Sequence, residues 1–104
     1  MGNRSQALIH QDSRSDIYLY SHWDGSDIGN MVKRALQRRQ RWDDPEYLTR
    51  IIFCEMVKDD IDGETGYGIG TQQHGDVDWL IEIDVPKQEI SIGSQSWTFT
   101  EYIA

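Results

Sequence analysis

Ser26-Asp27-Ile28-Gly29-Asn30-Met31-Val32-Lys33-Arg34-Ala35-Leu36-Gln37-Arg38 sets Ile28, Met31, Val32, Ala35 and Leu36 at i, i+3, i+4, i+7 and i+8. That spacing draws one apolar stripe along a helix, and Lys33, Arg34, Gln37 and Arg38 take much of the remaining surface. Ser26 or Asp27 can cap its start. Asp44-Pro45 then marks a second capped start, with proline at the first helical position. Leu48, Ile51, Ile52 and Met56 give that helix its buried stripe, which Tyr47, Phe53, Cys54 and Val57 widen. The wider stripe predicts that the second helix is the more buried of the two and that Cys54 is a small core residue. Two such helices need an apolar surface to lie on.

The flanking segments supply it. Ala7-Leu8-Ile9-His10 and Asp16-Ile17-Tyr18-Leu19-Tyr20-Ser21-His22-Trp23 alternate like strands and are joined by the turn-prone Asp12-Ser13-Arg14-Ser15, which predicts an antiparallel hairpin. Within its second strand Ile17, Leu19 and Ser21 share one face, and Tyr18, Tyr20 and His22 share the other. Past Asp62-Gly63, strands are predicted at Gly66–Gly70, Trp79–Val85 and Glu89–Ile92, with Pro86-Lys87-Gln88 as a hairpin turn. Trp97-Thr98-Phe99-Thr100 also alternates, while Thr98 and Glu101 have the spacing of a capping box, so the tail admits either strand or short helix. The fold expected is α+β: a single domain over residues 1–104, order ββααβββ, with two helices packed on a mainly antiparallel sheet. Residues 1–6 are polar and are expected to form a flexible N-terminus.

With 104 residues and 38% hydrophobic content, one core is the most the chain can fill. No apolar run approaches the roughly 20 residues of a membrane span, and the polar start carries no secretory signal, so a cytoplasmic protein without membrane attachment is expected. Cys54 is the only cysteine, which excludes an intrachain disulfide and a cysteine-rich zinc site. A formal net charge of −8 argues against direct binding to a nucleic-acid backbone, which requires a positive surface that releases counterions. The charge is nevertheless segregated. Lys33, Arg34, Arg38, Arg39, Arg41 and Arg50 face only Asp43, Asp44 and Glu46 between residues 33 and 50, whereas residues 55 to 84 hold nine acids against Lys58. The molecule is expected to be electrically two-sided.

Two aromatic and charged clusters carry the chemistry: Tyr20-Ser21-His22-Trp23-Asp24-Gly25 and Arg41-Trp42-Asp43-Asp44-Pro45. Each sets tryptophan beside groups that hydrogen bond or carry charge, as in sites that stack and orient a small polar ligand. His22-Trp23-Asp24 and His74-Gly75-Asp76-Val77-Asp78 contain metal-ligating types, but their spacing completes no metal site. Gly66-x-Gly68-x-Gly70 has threonine where a dinucleotide fingerprint would continue, and reads as close strand packing or a pocket wall. No cofactor is implied and no catalytic residue is assigned. Ser21, His22 and Asp24 make a triad only on paper, because adjacent strand residues point to opposite faces.

With Tyr-x-His-Trp-x-Gly at residues 20–25, Arg41-Trp42-Asp43-Asp44-Pro45-Glu46-Tyr47-Leu48 and Gly66-Tyr67-Gly68-Ile69, the chain resembles a family of small accessory proteins of bacteriophages and prophages, over roughly residues 16 to 92. The resemblance implies an infected or prophage-bearing bacterial host and transfers no reaction. In that setting the leading expectation is a nonenzymatic protein that binds and sequesters a small host nucleotide immune signal, with Tyr20, His22, Trp23, Arg41, Trp42 and Arg50 as its ligand-binding residues. A homodimer would help one small chain to enclose such a ligand. Two alternatives stand beside it. One is an acidic inhibitor of a host defence protein, a nucleic-acid mimic that uses Asp59, Asp60, Asp62, Asp76 and Asp78; the other is a metal-dependent nucleotide hydrolase built around His22.

Overall fold

Alternation in the first two segments becomes an antiparallel hairpin in the computed structural model, which describes residues 3–23 and 25–104. Strand β1 (Ser5–His10) pairs with β2 (Ile17–Ser21) so that Ala7 faces Leu19 and Leu8 faces Tyr18. Helices α1 (Ile28–Gln37) and α2 (Pro45–Val57) follow, then β3 (Tyr67–Gly70), β4 (Trp79–Asp84), β5 (Glu89–Ile92), β6 (Gln95–Thr98) and α3 (Phe99–Ile103). The six strands form one sheet in the order β3-β2-β1-β4-β5-β6. Every neighbouring pair is antiparallel except β1 with β4.

This is an α+β domain of the expected class, and the tail that admitted two readings contains both. Thr98 ends β6 and caps α3: its hydroxyl accepts from the Glu101 amide, and the Glu101 carboxylate accepts from the Thr98 amide. Phe99, the first residue of α3, is buried in the core.

All three helices lie on one side of the sheet. Ala7, Ile9, Leu19, Ile81, Ile83 and Ile90 point into that side and are fully buried. Against them pack Val32 and Leu36 of α1 and Leu48 and Ile52 of α2, also with no exposure. Tyr102 of α3 reaches across to donate its hydroxyl to the Gly29 carbonyl at 2.9 Å, a contact so close that a Cβ on Gly29 would lie 2.9 Å from the same oxygen. Burial pushes the Tyr102 phenol pKa up and so keeps it a neutral donor.

Three expectations need correction. Ser5 and Gln6 belong to β1 and are buried, and the Asn3 and Arg4 carbonyls accept hydrogen bonds from Gly25 and Asp78, so the described part of the N-terminal segment is tied into the sheet. Met1 and Gly2 lie outside the described residues. Helix α1, not α2, is the more deeply buried, with Ile28, Met31, Val32, Ala35 and Leu36 all inside. The apolar residues of α2 run round most of its circumference while the sheet covers one side, so Leu48, Ile52 and Met56 are buried, Ile51 and Phe53 are partly covered, and Tyr47 is left 53% exposed. Cys54 is exposed for the same reason and is not a core residue.

Among the described residues no helix is long and apolar enough to cross a membrane. Ile52 sits where α2 meets the sheet, so Ile52→Ala is expected to cost about 2–4 kcal/mol through lost burial and a residual cavity. Urea denaturation measures it, and a midpoint equal to that of the unsubstituted protein would contradict the packing described.

Candidate functional site

The α1–α2 junction gathers cations around one buried carboxylate. Glu55 is 7% exposed and accepts from Arg34 Nε at 3.3 Å, Arg38 Nη2 at 2.6 Å and Lys58 Nζ at 3.2 Å. Burial alone would raise the Glu55 pKa; hydrogen bonds and charge from Arg38 and Lys58 outweigh it, and the group ionises below the ordinary glutamate range. Arg34 and Arg38 come from α1 and its C-terminus, so these bonds also lock the two helices together.

Beyond Arg38 the chain turns sharply. Arg39 and Arg41 adopt left-handed backbone conformations, with φ of 55° and 59°. For residues with a Cβ this costs roughly 1–2 kcal/mol each. An anchor between helix and loop holds the turn: Trp42 packs edge-on against Phe99, ring centroids 5.4 Å apart, and donates its indole N–H to the Leu36 carbonyl at 3.1 Å. Asp44 then caps α2 by accepting from the Tyr47 amide.

Between the turn and α2 opens a cleft of about 500 Å³. Arg38, Gln40 and Arg41 line it from one side, and Tyr47, Arg50, Ile51 and Cys54 from the other. The Arg41 guanidinium lies 4.7 Å from the centroid of the Tyr47 ring. Among the described residues Arg41 and Arg50 have no carboxylate partner, in contrast to Arg34 and Arg38. The cleft thus offers unneutralised guanidinium groups beside an exposed aromatic ring, and it is formed within one chain.

Tyr20, His22 and Trp23 gather elsewhere, at the end of β2. Tyr20 stacks on His74 with centroids 4.6 Å apart, and its hydroxyl lies 3.2 Å from His22 Nδ1. Trp23 meets Tyr67 edge-on at 6.1 Å and packs its six-membered ring against Gly66, whose φ of 98° and missing side chain make room; a Cβ there would come within 2.2 Å of the indole. His74 is set by Gln6, whose buried amide accepts from the His74 N–H and donates to the Gln72 carbonyl.

The expected ligand-binding residues therefore fall in separate places. Arg41 and Arg50 share the cleft; Trp42 faces the core; Tyr20, His22 and Trp23 form their own cluster. Tyr47, Gln40 and Cys54 were not singled out as site residues. A signal for them was present, since Tyr47, Arg50, Ile51 and Cys54 follow i, i+3, i+4, i+7 and so share one stripe of α2.

Among the described residues no group of three or more histidine, cysteine, aspartate and glutamate side chains is arranged to hold a metal ion. Asp76 and Asp78 are engaged by Arg4, while His74 is stacked on Tyr20. Asp24, the remaining member of the His22-Trp23-Asp24 segment and of the paper triad, lies outside the described residues. Ser21 is buried on the helix side of β2 and His22 is exposed, as alternation requires. Comparison with protein-family models, curated proteins and solved structures gave no match.

The lowered Glu55 pKa makes a stability prediction. The folded state binds the Glu55 proton less readily than the unfolded chain, so its contribution is complete above the ordinary glutamate pKa of about 4.3 and is lost as pH falls through the lower folded-state value. Glu55→Gln is expected to cost about 1–3 kcal/mol near neutral pH, the range for charge-assisted hydrogen bonds, because its partners are partly exposed and can rehydrate. The difference from the unsubstituted protein should shrink below pH 4.3 in urea melts; a difference constant down to pH 2.5 would contradict the assignment.

Proposed function

We propose that the protein captures a small phosphate-bearing nucleotide in the α1–α2 cleft and holds it without transforming it. The observation that carries this reading is the pairing of Arg41 and Arg50, without carboxylate partners among the described residues, with the exposed Tyr47 ring in one cleft of about 500 Å³. Guanidinium groups grip phosphate oxygens two at a time. A base stacks on an aromatic face whatever its identity, and the cleft volume is within the few hundred to about 1,000 Å³ of small-molecule sites. Relative to the sequence expectation the stacking role passes from Trp42 to Tyr47. As an accessory protein of a phage or prophage, the protein would by this binding withdraw a nucleotide immune signal from the host cytoplasm.

Titration calorimetry with cyclic dinucleotides and cyclic ADP-ribose-like compounds tests the proposal. Tyr47→Ala is expected to weaken binding by about 1–3 kcal/mol, and Arg50→Ala to lower both affinity and its dependence on salt. Trp42→Ala should act mainly on thermal stability, since its ring packs on Phe99. Bound nucleotide should also slow alkylation of Cys54, the only cysteine, from its place in the cleft wall. Unchanged affinity in folded Tyr47→Ala and in a folded Arg41/Arg50 double variant would overturn the proposal, and conversion of the nucleotide would replace capture with catalysis.

A further inference from the structure

No helix covers the sheet face turned away from the three helices; the β3–β4 loop lies over it at Gln6 and Tyr20, through Gln72 and His74, and the strand register shows what stands on the rest. Across its middle runs a row in which Gly70, Tyr18, Leu8, Glu82, Ser91 and Ser96 are successive neighbours on β3, β2, β1, β4, β5 and β6. Beside it Tyr20, Gln6 and Leu80 align, and on the other flank His10 is followed by Asp84, Glu89 and Thr98. Leu8, Tyr18, Tyr20 and Leu80 are half-buried, which leaves an apolar and aromatic strip in contact with solvent. Gly68 and Gly70 widen it, because a Cβ at either would meet nothing within 4 Å.

The carboxylates on this face outnumber its cations. Glu82, Asp84 and Glu89 stand on it, no strand presents lysine or arginine there, and its histidines are engaged, His10 by Asp16 at 2.9 Å and His22 and His74 by Tyr20. A shallow groove of about 380 Å³ is lined on this face by Leu80, Glu82 and Ser91. We infer that this open face docks a basic protein segment through arginine side chains. An arginine stem lies on Leu8 and Leu80, its guanidinium stacks on Tyr18, and Glu82 accepts its paired N–H groups. Charge complementarity selects this occupant: the same acids repel nucleic acid, and an apolar partner would leave them desolvated and unpaired. The surface is separate from the α1–α2 cleft and does not depend on nucleotide capture. It also differs from the acidic surface expected from sequence, since Asp76 and Asp78 are engaged by Arg4.

The probe is a peptide alternating arginine with serine, titrated into the full chain and followed by amide chemical shifts. Shifts are expected at Leu8, Tyr18, Leu80 and Glu82, and the lysine version of the peptide should bind several-fold more weakly, because an ammonium neither stacks as well nor pairs bidentately. Glu82→Lys, at an exposed position, should weaken binding at least ten-fold. Asp62→Lys, an equal change of net charge in the α2–β3 loop, should leave it within two-fold. Equal losses from the two variants would reduce the binding to net charge, and shifts confined to residues 59–64 would place it elsewhere; either overturns the inference. So would sedimentation showing that the face is instead filled by a second copy, with self-association abolished by Glu82→Lys.

Discussion

Parallel pairing of β1 with β4 is the constraint from which the rest of the architecture follows. Remove it, and β3-β2-β1 and β4-β5-β6 become two antiparallel sheets of three strands with no shared core. At the seam Ala7 stands opposite Ile81 and Ile9 opposite Ile83, all fully buried. A parallel pair cannot be closed by a tight turn, because the chain must return to the end from which the first strand began. Here β2, α1, α2 and β3 make that return, and both long helices are laid on the same side of the seam. Glu55 then fixes one helix to the other and holds Arg38 at the edge of the cleft.

A sheet covered on one side has two outward surfaces of different origin. The helix layer shows the polar sides of α1 and α2, where the arginines of residues 33–50 are concentrated. The bare side shows alternate residues of the strands, with Glu82, Asp84 and Glu89 among them. Segregation of charge along the chain is carried into space only in part: Glu82 and Asp84 stand on the bare side, whereas Glu55 lies among the arginines of the helix layer.

What could be read beforehand depended on whether the information was local. The stripe of α1, the Asp44-Pro45 start of α2 and the β1–β2 hairpin are encoded within short windows, and the structure contains them. The error over α2 had a non-local cause. Its apolar residues exceed what one sheet face can cover, and only the architecture decides that Leu48 and Ile52 are inside and Tyr47 and Cys54 outside. Pairing between β1 and β4 spans most of the chain and leaves no mark in either segment. Trp42 shows the same limit at the site: composition placed it beside Arg41, but a neighbour in sequence can point the opposite way, and it anchors to Phe99. His74 on Tyr20 joins residues far apart in the chain through the buried amide of Gln6, a link that no motif spacing announces.

If the cleft captures a nucleotide as proposed, a basic site on a protein of net charge −8 would discriminate by the size of the anion. At physiological ionic strength, charges are screened over about 8 Å, whereas the molecule is 32 × 29 × 28 Å across. A phosphate about 4 Å from a guanidinium at the surface gains up to about 4 kcal/mol before desolvation, and it barely senses acids on the opposite side of the sheet. A nucleic-acid strand is different. It would lie along many tens of ångströms of surface, would meet the acidic loops as well as the arginines, and would release too few counterions to offset that repulsion. On the proposed reading, the same distribution that disfavours a polymer leaves a small nucleotide free to use Arg41 and Arg50, and raising the ionic strength, which screens the distant acids, should narrow the difference between the two.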